Sequence, residues 1–273
     1  MRFARNICES PAPHPHNVQD GNRNEQHTFQ EYLKLNNARE NSTCSIVLFV
    51  EAADLSGHAT HPGKFCDFLF KCAASGRIKR AMVTDAPPRK KNRQFFAESD
   101  RLNTLRLPQD DRLRRIASAI ETAMKMGRTK EVLRVSREFL DTAADFYQVK
   151  HCEVRVLAAR PLRVRERSTI ELFGDYNPNT ILIRVWMKTA IRKEVTSFGT
   201  FLSTLCHEFC HHLDFQRFPN SWHTRGFYER TASLYHHARG TPQKRLIWLP
   251  VPGHRWRIDW QRTNRVLHPH SSN

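Results

Sequence analysis

Apolar residues return at helical spacing in three stretches of this chain and alternate at strand spacing in the interval between them. Leu113, Ile116, Ala117, Ile120 and Met124 predict a helix opened by Asp110 or Asp111 and closed near Gly127. Val132, Val135, Phe139, Leu140, Ala143, Phe146 and Tyr147 predict a second helix, capped by Thr129, and the tight turn between the two makes a helical hairpin. Strands follow. Val154, Val156 and Ala158 alternate, Ile170–Phe173 is a short apolar run, and a turn is expected over Gly174–Asn179. Thr180–Met187 then places Ile181, Ile183, Val185 and Met187 on one face. From Ser197 the period changes back. Phe198, Phe201, Leu202, Leu205, Phe209 and Leu213 fall on one strip about 120° wide, with Thr204, His207, Glu208 and His211 on the opposite side. A last helix is expected after Trp222, running to about His237. The order predicts an α+β fold, with a helical hairpin ahead of a small sheet and a helix that leaves it.

The flanks carry less pattern. Residues 1–81 have no sustained period; Ile46–Val50 reads as a strand and Phe65–Cys72 as a short helix, neither firmly bounded. Composition changes at Ala81-Met82, and a Pro-Pro pair and the run Arg89-Lys90-Lys91-Asn92-Arg93 follow. Residues 1–81 are therefore expected to be a poorly ordered extension, with Met82 as the true start, and 82–107 a basic linker. The main domain is expected over 108–250. Residues 251–273 are expected to form a basic tail. Trp248, Trp256 and Trp260, interleaved with Arg255 and Arg257, are expected to pack back onto the core rather than stack on bases.

Charge changes the picture. The formal net charge of the 273 residues is +17. Before residue 82 there are 10 Lys and Arg against 8 Asp and Glu; from Met82 onward there are 34 against 19. An excess of that size favours polyanions through counterion release, so nucleic acid is an expected partner of the basic surface. The densest patch is expected on a loop, Arg160–Arg167, between the first two strands. Seven Cys without regular spacing make no disulfide framework and fit a reducing cytoplasm. A secretory leader is not apparent at the start. Ile46–Val50, the longest apolar run, is too short to cross a bilayer, so no membrane partner is expected.

The candidate chemistry sits on the third helix, in His207-Glu208-Phe209-Cys210-His211. Residues four apart on a helix stand one above the other, about 6 Å along the axis, so two imidazoles can reach one metal ion. Glu208, on the adjacent strip, leans over the same point. In a chain with 15 His such a pair can arise by chance, but the adjoining Glu and the apolar opposite face argue for a metal-bearing helix. Zinc hydrolases need neutral imidazole ligands, an open position for water and a carboxylate that takes the proton. Candidates for a third ligand are Asp214, His212, His223, Glu229, His236 and His237. Asp214 lies too close along the helix, His212 points to the apolar strip, and His236 and His237 read as surface residues or as supports behind the ligands. His223, after a loop that can return over the site, is the choice; Glu229 on the following helix is its rival. Cys206 and Cys210 read as small buried apolar residues.

A short sheet, a helix bearing His207, Glu208 and His211, and a His at 223 leading into Gly226-Phe227 resembles the SprT-like zinc metallopeptidases, the family of the Spartan-type proteases that degrade proteins crosslinked to DNA. The resemblance covers roughly residues 151–240. In the family pattern Gly follows the third His directly; here Thr224 follows and Gly is at 226. No Cys-x-x-Cys zinc ribbon follows. The resemblance implies a minimal zincin-like core, zinc held by His207, His211 and His223, and Glu208 as general base in peptide hydrolysis. It also implies that Thr180–Met187 is the sheet edge along which a peptide substrate lies; it does not identify the group that polarises the scissile carbonyl, for which Tyr228 and Tyr235 are candidates. Two other classes fit the same residues: a nucleic-acid-binding protein with a structural zinc, and a zinc hydrolase of a non-peptide substrate.

Overall fold

A computed structural model of the chain describes residues 44–50, 82–165 and 168–265. Within these, helices and strands mix in an α+β arrangement. Strand β1 is Cys44–Val50. Helices α1 (Arg93–Arg101), α2 (Arg112–Lys125) and α3 (Thr129–Tyr147) follow, then strands β2 (Glu153–Ala159), β3 (Leu162–Arg165), β4 (Ser168–Asn177) and β5 (Leu182–Lys188). Helices α4 (Phe198–Arg217) and α5 (Arg225–Arg239), a hairpin β6 (Trp248–Val251) and β7 (Arg255–Ile258), and the short α6 (Trp260–Arg265) complete the order. The expected reading of Phe65–Cys72 and of the rest of 1–81 lies outside the described residues, apart from β1.

The main sheet runs β1-β4-β5-β2, and β3 also pairs with β4. β2 and β5 are parallel, with Val154 opposite Ile183 and Val156 opposite Val185; the other pairs are antiparallel. Three expectations change here. Thr180–Met187 is not an edge, because β5 lies between β4 and β2. The expected turn at Gly174–Asn179 is strand through Asn177: the Asp175 carboxylate is buried and met by Arg184 directly across the pair, at 2.8 and 2.6 Å, so a polar residue that reads as a turn is satisfied within the sheet. The basic loop Arg160–Arg167 contains strand β3, hairpinned onto β4. Its Leu-Arg-Val-Arg alternates with the strand period under the positive charge.

The predicted hairpin forms from α2 and α3, and its apolar positions (Leu113, Ile120, Val132, Phe139, Leu140) are fully buried. Only the second cap differs from expectation. Asp110 accepts the Arg112 N–H at 3.0 Å, whereas Thr129 is already helical and Arg128 precedes it without a side-chain cap. Helices α3 and α4 lie against the sheet, and α5 packs on α4 and α2. Phe201, Leu202, Leu205 and Phe209 of α4 join Ile183 and Val185 of β5 in one core with the hairpin. Each such side chain contributes about 1.5–3 kcal/mol of burial, so truncating Leu205 to Ala would cost about 2–5 kcal/mol.

Residues 82–107 are not a linker. Phe96 of α1 packs with Phe218 and Trp222 in a second small cluster. Asp100 pairs with Arg225, and Ser99 Oγ meets Thr224 Oγ1 at 3.1 Å. Gly226 makes this docking close: a Cβ there would fall 2.2 Å from the Ser99 carbonyl oxygen and 2.6 Å from that of Leu102. Residues 251–265 likewise are structured. Trp256 exchanges bonds with Thr84, its N–H donating to Thr84 Oγ1 at 2.8 Å and its carbonyl accepting the Thr84 N–H at 2.8 Å, and the Arg225 guanidinium lies 4.5 Å from its ring. The expectation that these Trp pack back onto the fold holds for Trp256 and for Trp248, which bonds to α5. Among the described residues no helix is long and apolar enough to cross a membrane.

Candidate metal centre

The site is built on two helix starts and one helix middle. Ser197 opens α4 by accepting the Thr200 N–H at 3.2 Å, and Pro219 ends it by forcing Phe218 into an extended conformation. Along α4 nearly everything from Gly199 to Asp214 is buried. The strip bearing His207, Glu208 and His211 is therefore not a solvent face, because the Pro219–Thr224 loop and α5 cover it. Thr224 caps α5 by accepting the Phe227 N–H at 3.1 Å, and Gly240, at φ 69°, closes it. His223 stands just ahead of that cap, so the start of α5 fixes where its ring goes.

The three imidazoles converge. His207 Nε2 lies 3.0 Å from His211 Nε2 and 3.0 Å from His223 Nε2. Their ring centroids form a near-equilateral triangle with sides of 4.7, 4.9 and 5.0 Å. Phe227 floors the group, stacked on His211 at 4.5 Å, and Tyr228 stacks on His223 at 5.8 Å. Among the described residues this is the one trio of His, Cys, Asp or Glu placed to hold a metal ion together.

Outer contacts fix the tautomers. Ser221 Oγ donates to Asp214 Oδ2 at 3.0 Å, which leaves the Ser221 oxygen to accept from His211 Nδ1 at 2.8 Å. The proton of His211 is then on Nδ1 and its Nε2 presents a lone pair to the cluster. Asp214 is held in turn by Arg230, whose other nitrogen donates to the Leu102 carbonyl at the end of α1. On the far side the backbone N–H of His223 donates to Asp85 Oδ2 at 2.8 Å, and the same oxygen is 3.5 Å from His223 Nδ1. Orienting partners of this kind are what metal-bound histidines use.

Electrostatics agree with that reading. Burial, reinforced by the charge of His223, holds the His207 imidazole well below its ordinary pKa. Burial does the same for His211, helped by His207, His223 and Arg230. Both rings are neutral at neutral pH, as ligands must be. Where no proton lies between them, nitrogen lone pairs 3.0 Å apart repel, and a cation among them removes the repulsion. Three nitrogens about 2.0–2.1 Å from a tetrahedral zinc would be about 3.3 Å apart, close to the separations seen. The trio fits a metal ion.

Glu208 is fully buried on the same helix. Strand β4 passes directly over it: a Cβ on Gly174 would stand 3.0 Å from Glu208 Oε1 and 2.4 Å from Thr204 Cγ2. Only a residue without a side chain lets the strand come this close.

The other candidates fall elsewhere. Glu229, the rival third ligand, accepts Trp248 Nε1 at 3.2 Å instead of joining the trio. His212 bonds to the Tyr176 hydroxyl and the Lys150 carbonyl, and His236 to Thr241. Tyr228 is beside His223, whereas Tyr235 lies two turns further along α5 against His236. Cys206 and Cys210 are buried thiols, as expected. Asp85, Ser221, Arg230 and Gly174 are neighbours of the trio or of Glu208 that sequence reading passes over, and Asp214 contacts Ser221 and Arg230 rather than joining the trio. Comparison with family models, curated proteins and solved structures returns no match.

Proposed function

We propose that this protein is a zinc-dependent metallopeptidase, a reading carried by the convergence of His207, His211 and His223 beside the buried Glu208. Imidazole-only sites suit several transition metals; zinc is favoured because three protein ligands and an open position are its usual hydrolytic form. The small sheet over α4, with α5 returning to supply His223, is the minimal zincin-like core of the reading. When bound, zinc supplies Lewis acidity toward water and a carbonyl oxygen. Glu208 takes the proton of the attacking water and passes it to the departing amine. Asp85 and the Asp214–Ser221 pair hold the imidazoles in the tautomers that leave Nε2 free. Tyr228, whose ring stacks on His223, takes the role of polarising the carbonyl in this reading. The +17 charge supports substrates that travel with nucleic acid, and a cytoplasmic location belongs to the same reading.

Zinc content per chain, followed by cleavage of an unfolded protein, tests this. The parent is expected to hold about one zinc, His211→Ala and His223→Ala to lose it, and Glu208→Gln to keep zinc but lose cleavage. Equal behaviour of parent and Glu208→Gln would make the zinc structural. Cleavage of single-stranded oligonucleotides in place of protein would make the enzyme a different hydrolase. A parent that takes up no zinc sinks the reading.

A further inference from the structure

Strand β1 occupies a place that the sheet does not need for its own continuity. It pairs with β4 alone among the described residues, on the side of β4 away from β5. The register brings Ile46 opposite Gly174, the residue whose missing side chain lets β4 rest on Thr204 and Glu208. Between Ile46 and Val47 the register slips, Val47 pairing with Leu172, so the ladder breaks beside Glu208. β1 also lies against α4, the helix that bears His207, Glu208 and His211. Its sequence, Ile46 to Val50, is unbroken apolar, unlike the charged or proline-marked strands that usually guard an edge. An extended polypeptide added antiparallel to β4 would take the same course, because strand addition is carried by main-chain bonds and needs no particular side chains.

We propose that the outer edge of β4 is the track for an extended polypeptide at the Glu208 site, and that β1 is its resident occupant, an intramolecular strand that a substrate segment must displace. The cleavage consequence rests on the peptidase reading above; the pairing and displacement do not. With β1 seated, β4 is already paired on both sides of the register break, Gly174 with Ile46 and Leu172 with Val47, so the chain blocks its own site. With β1 released, β4 becomes an open edge over the buried carboxylate.

The test uses the full chain with Val47→Pro and Leu48→Pro together. Adjacent residues of an antiparallel strand alternate in which one bonds to the neighbour, so one of the two prolines removes a ladder bond. A milder pair, Val47→Gly with Leu48→Gly, guards against misfolding. Hydrogen exchange is read on β4 amides 169–176, with α2, α3 and α4 as internal controls. Binding of a fluorescent apolar decapeptide is read in a Glu208→Gln background so that nothing is cut. The expected result is faster exchange in β4 with the helices still protected, restored by a synthetic peptide of residues 42–51. Decapeptide affinity should rise about tenfold or more, the factor expected when fewer than a tenth of parent molecules stand open. Unchanged exchange, unchanged binding, or exchange that rises through α2–α4 in both variant pairs would make β1 an ordinary structural strand and overturn the proposal. With Glu208 intact, faster protein cleavage by the variants is expected. Opened β4 without any cleavage would leave this proposal standing and sink the peptidase reading alone.

Discussion

Asp85 and His223, 138 residues apart, hold each other by two main-chain contacts and one side-chain contact. The His223 N–H donates to Asp85 Oδ2 at 2.8 Å, and the Asp85 N–H donates to the His223 carbonyl at 3.0 Å. The same carboxylate oxygen faces His223 Nδ1 at 3.5 Å. Burial pushes the Asp85 carboxyl up, but its bonds to His223 outweigh that and its pKa is lowered, so it is charged at neutral pH.

Asp85→Ala is therefore expected to weaken zinc binding by about 10–100-fold, the usual cost of losing a partner behind a metal-bound histidine. Competition against a chelator of known affinity measures it. Asp85→Asn, which keeps an acceptor but not the charge, should fall between parent and Ala. Equal zinc affinity in all three would remove Asp85 from the site.

Gly174→Ala is expected to destabilise the fold by about 1–3 kcal/mol through overpacking, since the new methyl meets Thr204 Cγ2 at 2.4 Å and the Arg184 carbonyl at 3.1 Å. Adding Thr204→Ser removes the closest of these atoms. Urea denaturation should show most of the stability returning in the double variant, while the proposed peptidase activity stays low because the contact with Glu208 Oε1 at 3.0 Å persists. Full recovery of activity would show that Gly174 serves packing alone.

Asp214 and Arg230 are an almost fully buried pair, with side chains 3% and 4% exposed. Asp214→Ala leaves the guanidinium buried without its carboxylate, at an expected cost of about 3–5 kcal/mol. Asp214→Leu with Arg230→Met should recover much of the stability in the same denaturation experiment, yet still loosen zinc, because Ser221 then loses the acceptor that fixes the His211 tautomer. Zinc affinity equal to the parent in that double variant would end the relay argument.

How far the site is legible from residue order follows from the range of each contact. His207, Glu208 and His211 are neighbours on one helix turn, so local geometry alone places them. His223 is reachable because one short loop separates it from α4. Asp85, Gly174 and Arg230 act across separations from 16 to 138 residues and have no local mark; only the folded chain brings Asp85 to His223 or Gly174 over Glu208. Charge misleads at Arg163 and Arg165, where positive residues hide the alternation of β3, and at 82–107, where a basic run precedes a helix that docks on α5. Polar residues mislead at Asp175, whose partner Arg184 sits on another strand.

The pH dependence of stability has a testable share in His236. Its imidazole, buried and near Lys244 and Arg239, is lowered from 6.5 to about 4. A histidine with a depressed folded pKa leaves stability intact above pH 6.5 and costs stability as pH falls, because the unfolded chain takes up the proton first. Between pH 7 and pH 5 this share is about 2 kcal/mol. His236→Gln should lose that much less stability than the parent over the same interval, measured by urea denaturation at each pH. Parallel curves for the two proteins would show that His236 does not titrate with unfolding.

The clasp around Val83–Asp85 sets the order in which the histidine trio can be finished. Val83 bridges to Arg257, Thr84 exchanges bonds with Trp256, and Asp85 secures His223. One short run near the front of the described fold thus joins its closing hairpin to the third imidazole. On the ribosome, His207 and His211 emerge first and His223 follows soon after, but the support behind His223 waits for Trp256. From the appearance of His207 until Trp256 is made, the chain carries an unfinished site, and the hairpin β6–β7 is the element that completes it.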